Sequence, residues 1–229
     1  MDDDNEPIVN GQTIGDGIRH HGTRVAGVIG AVGNNGMGVT GVNWNVKLLA
    51  CKAISPTQQQ NFSSDAIQCL NYVIATKNAH PELTFVATNN SWATVNFLQA
   101  LMDAIDVQRQ NGILFIAAAD NSSSSNDTEP IFPASYYLPN VISVAATDQS
   151  DNLASFSNFG RRSVHLGAPG TNILSTVRTG LTGTTGDTTC ALSQAYCFGN
   201  GTSFSAPLDR KSTRLNSSHI QKSRMPSSA

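Results

Sequence analysis

Charge is scarce in this chain of 229 residues: Asp, Glu, Lys and Arg make up 13%, and the formal net charge is −2. The basic residues gather at one end. Residues 208–229 hold Arg210, Lys211, Arg214, Lys222 and Arg224 against Asp209, a net of +4, so the remainder stands at −2 − 4 = −6. A mildly acidic body argues against nucleic acid as a partner. No run approaches the roughly 18 apolar residues of a membrane helix, and Met1 leads into Asp2, Asp3 and Asp4 instead of a basic and then apolar leader. Neither a span nor a signal peptide is read from the chain. Cysteine is sparse as well. Cys51, Cys69, Cys190 and Cys197 lack Cys-x-x-Cys spacing with nearby histidines, which argues against zinc. Cys51 and Cys69 are expected as buried or free thiols, and pairing of Cys190 with Cys197 in a loop is left open.

What the chain does have is enough length for one sizeable core, with 39% hydrophobic residues and 19 glycines. Residues 1–19 are polar, without a period of 2 or 3.6, and read as loop. Val25, Ala26, Val28 and Ile29 predict a short buried helix whose first turn carries His21. The breaker-rich run from Asn34 to Gly41 ends it. Val46–Ala53 reads as a strand, and Ser63 or Ser64 can cap a helix with Ala66, Ile67, Leu70, Val73 and Ile74 on its apolar face. Leu83–Thr88 is the next strand. Thr94 is expected to cap a helix with Leu98, Leu101, Met102 and Ile105 at helical spacing. Ile113–Ala118 then runs unbroken, as a strand buried on both faces does. Val141–Ala145 and Val164–Ala168 supply further strands, and Gly180–Gly201 reads as loop or hairpin. Strand alternating with helix predicts an α/β fold with a mostly parallel sheet in three layers, helices on both faces. From Leu208 the chain is Ser-rich and basic and is expected to be poorly packed.

Three stretches carry chemistry. Gly201-Thr202-Ser203-Phe204-Ser205-Ala206-Pro207 exposes one hydroxyl between a glycine turn and a proline that suits the start of a helix. Ser203 is the candidate nucleophile, and a serine needs a base and donors for the oxyanion that develops. His21, followed by Gly22-Thr23-Arg24-Val25-Ala26-Gly27, opens a helix of small residues that allows close approach. Asn121 follows Ala117-Ala118-Ala119-Asp120 at the carboxyl edge of the most buried strand, where open α/β sheets carry their sites and an amide can donate to an oxyanion. Each stretch alone is more often a polar cap or turn. Their joint presence changes that reading.

Together with Asn89-Asn90-Ser91-Trp92, Phe132-Pro133-Ala134-Ser135 and Gly167-Ala168-Pro169-Gly170, these motifs resemble the subtilisin-like serine peptidases, from about Gly11 to Pro207. The resemblance implies Ser203 as nucleophile, His21 as general base and acid, and Asn121 as oxyanion donor. Ser91, Trp92 and Ala93 would line a channel for an extended peptide, although Trp92 can also be read as core. The loop with the Asn35 side chain and the Met37 and Val39 carbonyls resembles the family's calcium loop, and a plain glycine turn explains it equally well. No cofactor is implied for the chemistry. The implied partners are a polypeptide substrate and a propeptide or protein inhibitor, and the implied location is extracellular. Asn-x-Ser/Thr triplets at Asn61, Asn89, Asn121, Asn126, Asn200 and Asn216 are compatible with that location.

Four departures qualify the resemblance. The family's Asp-Ser/Thr-Gly stretch is not found, and the triad acid is assigned neither to Asp2–Asp4 nor to Asp16. The family's long apolar helix after the proline is replaced by Leu208 and the basic tail, which looks non-native. Asp120 and Ala93 stand where the family has glycine, both facing substrate. Three readings remain: a serine endopeptidase, a non-catalytic peptide-binding homologue, and a fragment incomplete at both ends.

Overall fold

The computed structural model describes residues 21–51, 53, 62–177 and 195–208. The acidic opening with Asp2–Asp4, Asp16 and His20, Cys190, whose pairing with Cys197 is left open above, and the tail beyond Leu208 lie outside them. Among the described residues the apolar periods become helices. Helix α1 (His21–Gly30) buries Val25, Val28 and Ile29; α2 (Phe62–Ala79) buries Ala66, Leu70 and Val73. Asp65 in the first turn of α2 and Lys77 in its last complement the helix dipole. Helix α3 (Gln99–Gln110) buries Leu101, Ala104 and Ile105. Thr94, the expected cap, is used otherwise. Its backbone exchanges two hydrogen bonds with Phe132, of 2.7 and 2.8 Å, and Leu98 takes the cap position without a side-chain bond.

Four strands, β1 (Ala87–Asn90), β2 (Leu114–Ala118), β3 (Val141–Thr147) and β4 (Leu166–Pro169), form one sheet in that order, with every pairing parallel. Side chains alternate between its faces. Phe115, Ala117 and Val141 meet α2 and α3 through Leu70, Leu101, Ala104 and Ile105, whereas Ile116, Ala118, Ile142 and Val144 meet Ala168 and Ala206 on the other side. Helices therefore cover both faces of an α/β sheet, as the strand–helix alternation predicts. Burying each large apolar side chain in these layers contributes on the order of 1.5–3 kcal/mol. Because the strands are parallel, their carboxyl ends share one edge, and the candidate residues sit there.

The expected strand at Val46–Ala53 does not form among its described residues. A strand needs a neighbour for its ladder, and no described strand lies beside it; Leu49 is 43% exposed. A covalent bond fastens the segment instead. Cys51 is joined to Cys69 of α2 across a Cα–Cα distance of 5.8 Å, which corrects the expectation of free thiols. With a separation of 18 residues, closing this loop removes unfolded-chain entropy equivalent to roughly 3 kcal/mol. Cys197 is disulfide-bonded too. It lies on β6 (Tyr196–Gly199), which pairs antiparallel with β5 (Ile173–Thr176), so the glycine-rich region is bounded by hairpin arms.

Candidate functional site

The serine stretch is helical from residue 202 to 208, so the helix begins five residues before the proline that was expected to open it. Packing decides this. Phe204, Ser205 and Ala206 are buried, Ser205 Oγ donates to the Pro169 carbonyl at 3.2 Å, and the Gly201 N–H donates to the Gly170 carbonyl at 2.8 Å. Leu208, assigned above to the tail, packs on the same core as Ala206. Gly201 enters the helix with φ of +147°, a conformation that L side chains rarely adopt. Ser203 thus falls in the first helical turn, where backbone N–H groups have no partner within the helix. Among the described residues its N–H and its Oγ have no hydrogen-bond partner.

Asn121 is tied to this helix. Its Oδ1 accepts the Thr202 N–H at 2.8 Å and the Thr202 hydroxyl at 3.1 Å, which leaves its NH₂ group free to point elsewhere. A methyl group on Gly201 would stand 3.8 Å from the Ser203 nitrogen and 3.9 Å from Asn121 Nδ2. Two nitrogen donors far apart in sequence, beside the Asn121 Oδ1 at 3.6 Å, therefore border the space that glycine leaves open. Such a pair can hold a negatively charged oxygen.

The loop after β2 that carries Asn121 is organised from inside by two residues with no expectation attached to their amides. Asn158 Oδ1 accepts the N–H groups of Ser122 and Ser124, its Nδ2 donates to Asn126 Oδ1, and Asn126 Nδ2 donates to the Ala119 carbonyl. Asn126 is 2% exposed with its amide engaged on both sides, so its glycosylation triplet cannot be used in the folded protein. Asp120 adopts φ of +87°, and its carboxylate accepts the Ser122 hydroxyl at 3.3 Å. A carboxylate thus occupies a backbone position suited to glycine.

His21 is the first residue of α1 and lies half-buried, its ring 6.5 Å from that of Phe204, the neighbour of Ser203. Burial, and then the positive charge of Arg24, hold its pKa below the usual 6.5, which favours the neutral, proton-accepting imidazole at neutral pH. Arg24 also locates the helix: its Nη2 donates to the Phe198 carbonyl at 2.6 Å and its guanidinium lies 5.1 Å from the Phe204 ring centroid. From β5, Ser175 Oγ and Thr176 Oγ1 donate to the Arg24 and Thr23 carbonyls at 2.6 and 2.9 Å. Gly27 permits the contact, since a Cβ there would collide with Thr176 Oγ1. The one sequence cue to Arg24 is a lone charge among the small residues of this helix.

Beyond the end of β1, Ser91 Oγ donates to the Ser203 carbonyl at 2.9 Å, Trp92 packs on the core beside α3, and Ala93 is exposed. In the loop after α1, Asn35 Oδ1 accepts the Met37 N–H at 3.0 Å. Calcium takes six to eight oxygens, usually with carboxylates among them. The described residues of this loop, Asn35, Met37 and Val39 among them, offer a neutral, already engaged amide and backbone carbonyls, and no cluster of His, Cys, Asp or Glu suited to a metal occurs among the described residues. That donor set does not by itself fit the ion.

Comparison with known proteins points to one family. The Subtilase family model matches residues 2–208. Subtilisin-like protease 1 of Plasmodium falciparum is 32% identical over 90% of this chain and 31% of its own length. Subtilisin-like protease 2 of the same organism is 36% identical over 69% of this chain and 11% of its own, and the minor extracellular protease Epr of Bacillus subtilis 34% identical over 82% and 25%. The chain thus spans less than a third of each of these relatives. Among solved structures, a cold-adapted subtilisin-like serine proteinase superposes with a TM-score of 0.63 at 26% identity, covering 88% of this chain and 62% of that one.

Proposed function

The chain belongs to the subtilase family, and from that premise we propose that Ser203, His21 and Asn121 carry out serine endopeptidase chemistry on a polypeptide substrate. Ser203 Oγ attacks the peptide carbonyl carbon as His21 takes its proton. The carbonyl oxygen, now negative, is received by Asn121 Nδ2 and the Ser203 N–H. His21 then returns the proton to the departing amine, and water repeats the sequence on the acyl-enzyme. The observation that carries this reading is the union of Asn121 with the head of the serine helix through Thr202, which brings Asn121 Nδ2 and the Ser203 nitrogen to the same open space at Gly201. The acid that would orient His21 is assigned to no residue, and no step passes through calcium. Residues 20–207 make up part of the peptidase domain. A propeptide or protein inhibitor would occupy the same channel, and secretion is supported by the relatives named as extracellular.

The direct test is covalent labelling of the full-length protein with a fluorophosphonate, followed by mapping of the modified residue. We expect the label on Ser203 and its loss in His21→Ala. A folded protein that takes up no label at Ser203 would be the non-catalytic peptide-binding homologue instead.

Asp120 bears on specificity. Facing a developing oxyanion at ~6 Å and an effective dielectric of about 20, a carboxylate would cost on the order of 3 kcal/mol. Turned toward the substrate residue before the cleaved bond, it would instead attract Lys or Arg. The expected result is a preference for basic residues there, lost in Asp120→Gly, while the glycine relieves about 1 kcal/mol of backbone strain at φ of +87°. Profiling both forms on a peptide library decides it: equal use of Lys and Leu by the unmutated protein would remove Asp120 from the pocket.

A further inference from the structure

Pro207 creates a vacancy inside the serine helix. In an α-helix each N–H donates to the carbonyl four residues earlier, so residue 207 would serve the carbonyl of Ser203. Proline has no N–H to give. The Ser203 carbonyl is nevertheless engaged, by Ser91 Oγ at 2.9 Å across 112 residues of sequence. A carbonyl oxygen has no hydrogen to give, so Ser91 Oγ is the donor, and the hydroxyl is held from the other side as well. Asn89 Nδ2 donates to Ser91 Oγ at 2.9 Å, so the hydroxyl accepts from Asn89 and sends its own proton to Ser203. Asn89 belongs to β1, whose neighbour β2 leads directly into Asn121.

We propose that Ser91 is a positioning residue for the nucleophile, donating to the Ser203 carbonyl in place of the N–H that Pro207 lacks. This rests on the reading of Ser203 as nucleophile. The arrangement gives the proline a purpose: by withdrawing the helical donor it frees the nucleophile's own carbonyl to be held from the sheet edge that also presents Asn121. Serine and oxyanion donor are then referenced to adjacent strands. Ser91, expected above to line the channel for an extended peptide, acts through its side chain on the backbone of Ser203.

A double-mutant cycle on the full-length protein tests this, using Ser91→Ala, Pro207→Ala and the two combined. Thermal unfolding and the rate of fluorophosphonate labelling are read in parallel. Ser91→Ala should lower the unfolding midpoint by about 2–4 °C, the shift expected for one lost hydrogen bond in a chain of this size. It should slow labelling and kcat about tenfold with KM little changed. Pro207→Ala restores an N–H at the fourth residue after Ser203, so adding it should reduce both effects of Ser91→Ala to less than about half. Ser91→Thr, which keeps the hydroxyl, should retain most of the labelling rate. Additive effects in both readouts, or a change in Ser91→Ala confined to KM, would overturn the proposal. Coupling in unfolding with no labelling of the unmutated protein would overturn the nucleophile assignment, and the positioning role with it.

Discussion

Ser203→Ala and His21→Ala are each expected to lower kcat of the full-length protein by about 10⁶, a size carried over from subtilisin itself, with the double variant no worse than either alone. In the proposed mechanism the two side chains act on one proton. Without the hydroxyl there is nothing for the base to activate, and without the base the hydroxyl stays protonated near neutral pH. The rise of kcat/KM with pH carries a second mark of the same pair. Burial and Arg24 both disfavour the imidazolium, so His21 becomes the neutral base below the ordinary 6.5, and the acid limb of the profile should lie below that value. Steady-state kinetics on an unstructured polypeptide, with circular dichroism to show that the variants fold, is the measurement. Either variant retaining near-normal turnover would remove its residue from the reaction, and additive losses would show two separate roles.

Asn121→Ala should lower kcat by about 10²–10³ with KM nearly unchanged, again a magnitude known from subtilisin. The prediction needs a control, because Asn121 also accepts two hydrogen bonds from Thr202 and its loss could disturb the serine helix. Asn121→Asp supplies it. The aspartate keeps acceptors for Thr202 but has no N–H to offer, so it should hold the helix in place and still be at least as poor a catalyst as the alanine variant. Full activity in Asn121→Asp, or an effect of Asn121→Ala confined to KM, would mean that the amide serves Thr202 alone.

Much of the scaffold can be read from the sequence because its signals are local and periodic. Leu101 and Ile105 mark a helix face wherever that helix packs, and Ile113–Ala118 is too apolar to lie anywhere but inside a sheet. What escaped detection depends on distant partners. Pro207 obeys a local rule about helix starts, yet the burial of Phe204 and Ala206 draws the helix back to residue 202. Cys51 and Cys69 belong to a loop and a helix whose approach no spacing announces. Asn126 and Asn158 resemble every other polar residue of the Ser- and Asn-rich loops, and only their burial distinguishes them. Within the candidate site, Ser203, His21 and Asn121 each stand in a recognisable local pattern. Arg24 and the side-chain role of Ser91 become visible only when residues some 100–200 positions apart are brought together.

The long reach of these bonds also sets an order of events during synthesis. Ser203 is anchored to Ser91 across 112 residues and Thr202 to Asn121 across 81, while the helix of His21 is held by Thr176 across 153. The serine helix follows all of these partners in the chain. Contacts of such high separation close long loops, and the entropy of closure disfavours them until the local helices and central strands are in place. A ribosome-bound chain that has exposed the sheet but not residues 195–208 holds a histidine and an amide with no hydroxyl between them. Under the proposed roles, Ser203 can meet His21 and Asn121 only once residues 202–208 have emerged, so the order of synthesis would keep the nascent chain from that chemistry.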